Sequence, residues 1–447
     1  MNSKPLSYDS LKTVLQHMDA NTRINLAAHI PSIRKTEKSV PLKINYLHFD
    51  SDSISIDKSN YKVGIFRDYG AMKTPNYVKK CNEEGGGSYD IDEYGFEDLN
   101  SLKQRSLPED IVMKPYEIEE PPPRDDNTSR KKEADIVFMK SQVSEDDMNY
   151  KFLLSEHGFE KIEDLAEQLH SAQERNDEDR YETLYELTVS RSRSDDEQDL
   201  EYEAEQIERV EYRKQLPLAL RAISNFIFGG RRHPVHVESL RVEETTVIRV
   251  PSDLQLKIRH LDLLGTLGII CNALHPIIHS SSFPLEELEI VDFGMFDIHR
   301  IDISYFQSKM ARDAEKLTIY YQDNNAWLPI LSALQNKLVH MQYCFSMSAN
   351  DYVELIRTWA VQGKDIGTVF TFEVSGFSAT NKVQGIVDRV AEEFEGAVKN
   401  ERFLTVPMSN RSSRIHVTTT DKLEYEPVIM STCFLEIKVV SSSDDSN

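Results

Sequence analysis

Six short strand-like segments recur through the C-terminal half of the chain, and they constrain its fold more than any other sequence feature. They are centred, at separations of 21, 27, 29, 24 and 29 residues, on Leu240, Leu261, Leu288, Leu317, Met341 and Phe370. Helix patterns such as LGIICNALHPIIH and WLPILSALQN lie between several of them. This alternation is typical of stacked strand–helix repeats, and also of an ordinary α/β domain with a mostly parallel sheet. We favour a degenerate leucine-rich-repeat-like domain, closed by the strand patterns RFLTVPMS, SRIHVTTTD and CFLEIKVV.

Two short amphipathic patterns open the chain. Leu11, Val14, Leu15 and Met18 follow the i, i+3, i+4, i+7 spacing of one helix face, and a second apolar pattern begins at Ile24. Helices this short are not stable alone in water, so they must pack against another element. The alternating stretches KINYLHF, SISID and YKVGIFRDY predict a small sheet over residues 40–69, with a bulge at Gly64.

The middle of the chain is acidic. Between Glu117 and Lys214 there are 30 acidic and 14 basic residues, a net charge of −16 out of −23 for the whole chain. Helical spacing at Phe159, Ile162 and Leu165, and again at Tyr181, Leu184 and Leu187, predicts acidic helices joined by loops.

Together these patterns predict a mixed α+β or α/β chain in five segments. These are helices at 1–36, a small β-rich region at 37–115, an acidic, partly helical and partly disordered insertion at 116–215, the repeat-like domain at 216–440, and a disordered tail at 441–447.

Composition restricts the partners and the compartment. The excess of acidic residues makes nucleic acid an unsuitable partner. The opening residues lack the apolar core of a signal peptide, and the most apolar run, 263–278, is too short to span a bilayer. The four cysteines show no CxxC spacing, so neither a disulfide framework nor a zinc site is expected. We therefore expect a cytoplasmic or nuclear protein that does not bind membranes.

No catalytic, cofactor or metal motif is complete. His275 and His279 have the spacing of a zinc-binding pair, but Pro276 occupies the place of the general-base Glu. The run DIDEYGFED lacks two oxygen ligands of a calcium loop, and GGGSYD lacks the Lys of a phosphate loop. We expect no cofactor, no metal and no enzymatic activity, with an enzyme of unrecognised site as the least favoured alternative.

The opening stretch resembles an F-box, the helical motif that docks on the small adaptor of cullin-RING ubiquitin ligases. Leu6, Asp9 and Met18-Asp19 match positions of that motif, whereas Ser7 stands where the motif has Pro. A wider resemblance, carried by the N-terminal stretch, YKVGIFRDY, DIDEYGFEDL and FIFGGRRHPVHVESLRV, is to the nematode F-box C family, whose shared region is a domain of unknown function. The stretch GKDIGTVFTFEV is similar to the F-box-associated regions of those proteins.

The resemblance implies a substrate receptor that binds the ligase adaptor and an unknown target protein. It implies adaptor contacts by the apolar residues Leu6, Leu11, Val14, Leu15, Met18, Ile24, Leu26 and Ile30. The alternative is an interaction protein that keeps the fold but not the adaptor contact.

A target would bind the rim of loops that follow the repeat-like strands, because stacked repeats gather their loops on one side. The aromatic candidates on this rim are Phe293, Phe296, Trp327 and Phe377. The alternative for Phe296 and Trp327 is that they fold inward as core.

Overall fold

The computed structural model confirms a mixed α+β protein. It describes residues 7–68, 76–91, 97–98, 107–108, 110–113, 184–193, 204–243, 247–265, 267–292, 303–321, 327–342, 347–376, 379–400, 403–410, 412–421 and 431–443. The helix predicted at 159–169 and the last residues of the predicted tail lie outside these ranges.

Ten α-helices occur in the described residues. They are α1 (Tyr8–His17), α2 (Ala20–His29), α3 (Arg34–Lys38), α4 (Asn76–Glu83), α5 (Leu216–Phe228), α6 (Leu267–Leu274), α7 (Lys309–Arg312), α8 (Leu328–Ala333), α9 (Ala349–Gln362) and α10 (Ala379–Glu393). A short 3₁₀ turn, Pro31–Ile33, joins α2 to α3.

Nineteen strands accompany them in the same part of the chain. They are β1 (Lys43–Phe49), β2 (Ser53–Ile56), β3 (Ser59–Asp68), β4 (Asp90–Ile91), β5 (Glu97–Asp98), β6 (Ile111–Val112), β7 (Leu184–Arg193), β8 (Ala204–Glu211), β9 (Val235–Glu243), β10 (Val247–Ile248), β11 (Leu256–Leu264), β12 (Glu287–Asp292), β13 (Lys316–Tyr321), β14 (Leu338–Gln342), β15 (Val369–Gly376), β16 (Val398–Lys399), β17 (Leu404–Pro407), β18 (Ser413–Asp421) and β19 (Ser431–Ser441).

The chain divides into two compact units. The first comprises Met1–His233 and Thr245–Leu254, and the second comprises Pro234–Glu244 and Gln255–Asn447. This division differs from the predicted boundary at residue 216, because α5 packs against β3 in the first unit.

The first unit contains an antiparallel sheet in the order β1-β2-β3-β7-β8. The predicted small sheet is therefore present, and it is larger than expected because the acidic segment contributes β7 and β8. The helix predicted around Leu184 and Leu187 is wrong. Val189 and Thr188 are β-branched residues that favour a strand, and β7 pairs along the full length of β3.

The second unit confirms the strand–helix alternation read from the sequence. Strands β9, β11, β12, β13, β14 and β15 are parallel neighbours in that order, and β19, β18, β17 and β16 extend the sheet with antiparallel pairs. The three predicted closing strands are β17, β18 and β19. The leucine-rich-repeat-like description of this unit stays a prediction.

One row of side chains crosses the parallel strands and forms the centre of the core of the second unit. Successive Cα partners in this row are Leu240, Leu261, Leu288, Leu317, Val339 and Phe370. Each is buried. Five of the six predicted strand centres therefore lie in one register, while Met341 lies two residues beyond its expected place and on the same face.

Gly64 is not a bulge, as the sequence suggested, but a point of close backbone approach. It pairs regularly with Thr188 in β7, and a Cβ at residue 64 would lie 2.4 Å from the carbonyl oxygen of Gly85. The Gly85–Gly87 segment lies directly on β3, where Ile65 and Gly87 exchange backbone hydrogen bonds of 2.9 Å. Only glycine leaves room for this crossing.

We predict that Gly64→Ala destabilises the first unit by about 1–3 kcal/mol, because the added methyl group forces two backbones apart. Denaturant unfolding measures this change. Gly385→Ala in α10 is the matched control, since a Cβ there meets no atom within 4 Å and alanine favours a helix. Equal stability of the two variants would contradict the crossing.

Candidate interaction surface on the N-terminal helices

Each of the two opening helices begins with its own side-chain cap. The Ser7 hydroxyl accepts a hydrogen bond of 3.2 Å from the backbone N–H of Ser10, and the Asp19 carboxylate accepts one of 2.9 Å from Thr22. Such caps satisfy N–H groups that a helix start leaves without partners. Ser7 therefore starts α1 in the place where the F-box motif has Pro.

The apolar stripe of α1 is only partly covered by the rest of the unit. At 100° per residue, its members run around the helix in the order Val14, Met18, Leu11, Leu15. Leu15 is 1% exposed, Leu11 and Met18 are half-buried, and Val14 is 40% exposed. The stripe is thus core at one edge and solvent-facing at the other.

The second helix shows the same gradient. Ile24 is buried with Ala20 and Ala27, whereas Leu26 is half-buried and Ile30 is 42% exposed. Of the eight predicted adaptor contacts, Leu15 and Ile24 are therefore core residues of the free chain and cannot reach a partner. Val14 and Ile30 are accessible, Leu11, Met18 and Leu26 are partly so, and Leu6 lies outside the described residues.

A polar contact joins α2 to the small sheet. The buried Asn21 side chain donates a 3.0 Å hydrogen bond to the carbonyl of Ile56 and accepts one of 2.7 Å from the Tyr61 hydroxyl. Helix α2 therefore packs on β2 and β3, which supply stability that so short a helix lacks alone.

A buried carboxylate joins these helices to the segment after α5. Glu37, at 1% exposure, accepts hydrogen bonds from Arg23 at 2.8 Å and from Arg231 at 3.1 and 3.3 Å. Arg23 also donates to the carbonyls of Pro41 and Val40, at the start of the sheet. Burial lowers the pKa of Arg23 and Arg231, and the charge of Glu37 opposes that effect. The sequence analysis missed this cluster, since its members are up to 194 residues apart.

The Lys38 side chain connects α3 to the C-terminal end of α5 by hydrogen bonds. Its ammonium group donates hydrogen bonds of 2.5 and 2.6 Å to the carbonyls of Phe226 and Ile227, and Arg231 Nε donates one of 2.9 Å to Ile227. These carbonyls have no partner within the helix, and cations are favoured at that end. Burial, and then the charge of Arg231, lower the pKa of Lys38 to about 7.

An acidic residue holds the opposite end of α5. The Asp90 carboxylate accepts hydrogen bonds of 2.8 Å from the backbone N–H of Leu216 and 2.7 Å from the Tyr212 hydroxyl. Carboxylates are favoured at helix N-termini for the same reason that cations are favoured at C-termini. The acidic run DIDEYGFED, which the sequence analysis compared with a calcium loop, thus contains a buried cap for a distant helix.

The predicted target-binding rim is largely untested. Phe293, Phe296 and Phe377 lie outside the described residues. Trp327 is 2% exposed at the start of α8, so it belongs to the core and is not accessible to a target, as the alternative reading from the sequence had it. Its indole fills space that no smaller side chain would fill.

Two classes of feature are absent from the part of the chain that the structure describes. No group of three His, Cys, Asp or Glu side chains there is placed to hold a metal ion. No helix in those ranges combines the length and the apolar composition required to cross a membrane.

Comparison with known proteins identifies a family match for one segment of the chain. Residues 215–376 match the family described as domain of unknown function DUF3557. No curated protein matches the chain. The match begins one residue before α5, so it includes Arg231 but not Glu37 or Lys38.

One solved structure matched is an S-adenosylmethionine-dependent methyltransferase from Clostridium acetobutylicum, at 12% identity and a TM-score of 0.12. The alignment covers 41% of this chain and 65% of the methyltransferase. The matched protein is an enzyme, and the expectation that this chain has no enzymatic activity is withdrawn. At this TM-score the match assigns neither a fold nor an activity to the chain.

We predict that Trp327→Ala destabilises the second unit by about 3–5 kcal/mol, because truncation leaves a cavity in a packed core. Thermal unfolding followed by tryptophan-independent far-ultraviolet circular dichroism measures the loss. Unchanged stability of this variant would contradict the assignment of Trp327 to the core.

We predict that the free energy of unfolding rises between pH 7 and pH 10 because of Lys38. The pKa of this amine is 10.5 in its ordinary state and about 7 in the folded chain, so within this window only the unfolded chain binds the proton. The contribution is therefore lost as pH falls to 7. Lys38→Met should flatten the dependence measured by urea unfolding, whereas Lys35→Met, an exposed lysine of the same helix, should leave it unchanged.

Proposed function

We propose that this chain is a protein-interaction module that serves as a substrate receptor of a cullin-RING ubiquitin ligase. In this proposal α1 and α2 dock on the small adaptor subunit, and the second unit binds a target protein. The observation that carries it is the incompletely covered apolar stripe of α1, with Val14 at 40% exposure beside the half-buried Leu11 and Met18.

Exposure of single apolar residues is ordinary in folded proteins, but the pattern here is not scattered. Tyr8 and Val14 on α1 and Ile30 at the C-terminal end of α2 are each at least 40% exposed. Short amphipathic helices that present an apolar flank are suited to docking in a groove of another protein. The F-box resemblance of the same residues names the adaptor as that protein.

The finer assignment to the nematode F-box C family rests on the sequence resemblance. That resemblance implies a shared domain of unknown function, and a family of that description matches residues 215–376. A ligase role would place the chain in the cytoplasm or nucleus.

The second candidate is an interaction protein that keeps this fold but no longer binds the adaptor. Ser7 favours it, because the Pro position of the motif is occupied by a helix-capping serine. A direct binding measurement with the purified adaptor separates the two candidates.

We predict that Val14→Glu weakens adaptor binding at least tenfold, or about 1.4 kcal/mol, since a carboxylate would be buried unpaired in the interface. Isothermal titration calorimetry of the full chain with the adaptor measures the effect. Val14 suits the test because it is exposed in the free chain, whereas the buried Leu15 would disturb folding when replaced by Asp.

Gln16→Glu supplies the matched control. Gln16 is exposed on the opposite side of α1, so the same charge enters without touching the stripe. A Val14→Glu variant that binds as tightly as Gln16→Glu would exclude this flank as the docking surface. A wild-type chain that does not bind the adaptor would select the second candidate.

A further inference from the structure

We infer that Arg231 is a positioning residue for the N-terminal helices, acting through Glu37 to hold α1 and α2 in the orientation that docking requires. The inference rests on the proposed docking function and identifies a residue, inside the segment matched by the family model, that controls the docking surface.

The two arginines at Glu37 have unequal roles. Arg23 donates to three backbone carbonyls, those of Pro41, Glu37 and Val40, and reaches only Oε1 of the carboxylate. Arg231 donates to both Oε1 and Oε2. Oε2 therefore depends on Arg231, and the loss of that partner would leave a charged oxygen buried without its hydrogen bond.

Relief of that cost requires α3 to move. Glu37 lies in the last turn of α3, where the carboxylate can reach water only if the helix end lifts away from Arg231 and α5. Lys38 would move with it, because its two hydrogen bonds to α5 start from the next residue. Both α1 and α2 pack against α3, so a displaced α3 changes the support beneath the helices that carry Val14 and Ile30.

The neighbouring residue offers a control with the same chemistry. Arg232 is exposed, and its backbone N–H donates to the Lys38 carbonyl at 3.2 Å, a contact that a side-chain substitution retains. Arg232→Gln therefore removes the same charge one residue away without touching Glu37.

The experiment compares Arg231→Gln, Arg231→Lys and Arg232→Gln in the full chain by hydrogen–deuterium exchange and by adaptor binding. We expect Arg231→Gln to raise amide exchange over residues 8–29 by about tenfold and to leave β3 protected, as a local opening does. Arg231→Lys, which keeps the charge, should restore most of the protection, and Arg232→Gln should match the wild type. Adaptor affinity should follow the same order.

A second variant, Val63→Ala, distinguishes the positioning role of Arg231 from a general loss of stability, because it truncates a buried core residue of β3. At equal loss of global stability, Val63→Ala should retain adaptor affinity and Arg231→Gln should lose it. If Arg231→Gln does not fold, the comparison uses Arg231→Lys, for which intermediate exchange and affinity are expected. Unchanged exchange over residues 8–29 in the folded Arg231 variants would overturn the inference.

The two proposals fail separately. If the wild type does not bind the adaptor but Arg231→Gln still loosens residues 8–29, the docking function is wrong and the positioning by Arg231 stands. If the adaptor binds wild type and Arg231→Gln equally, the positioning role is wrong and the docking function stands.

Discussion

The first unit depends on a helix whose two ends are held by side chains from distant parts of the chain. Asp90 accepts from the N-terminal N–H of Leu216, while Lys38 and Arg231 donate to the C-terminal carbonyls of α5. The charges of Asp90 and Arg231 have the signs that the helix dipole favours at their respective ends. Along its length α5 buries Leu216, Leu220, Ile227 and Phe228, and Phe228 contacts Phe49 of β1 at 6.0 Å between ring centres. The opening helices, the glycine-rich segment and α5 therefore belong to one compact unit rather than to successive domains.

The second unit could be predicted from sequence because its order is local. From β11 to β15 each strand is followed by a helix, so apolar periodicity alternates between the two types along the chain. Five of the six predicted strand centres lie in the observed buried register. The first unit was less predictable, since β7 meets β3 more than a hundred residues away in sequence. Leu184 and Leu187 fit a helix as well as a strand, and only the distant partner decides between them.

The candidate surface shows the same limit at the level of single side chains. Spacing identified the apolar stripe of α1, but it could not show that Leu15 faces the core while Val14, one residue earlier, faces solvent. That difference depends on tertiary packing, in which α3 contacts α1. Nor could spacing reveal the Glu37 cluster, because Arg23 and Arg231 lie near opposite ends of the sequence of the first unit. A glycine within a strand pattern marked position 64 as unusual. The reason is the close approach of the Gly85 backbone, and not a bulge.

The boundaries of the matched family and of the folding unit are consequently different. The family match starts at residue 215, just before α5, whereas the groups that satisfy both ends of that helix include Asp90 and Lys38. A fragment confined to residues 215–376 would keep Arg231 but lose the carboxylate at the helix start, the amine at its end and the strands beneath its apolar face. The N–H of Leu216 and the carbonyl of Phe226 would then form hydrogen bonds with water, and the apolar face of α5 would be exposed to solvent. Sequence similarity in this chain thus marks a segment that begins inside a folding unit, and the N-terminal helices supply the contacts that complete it.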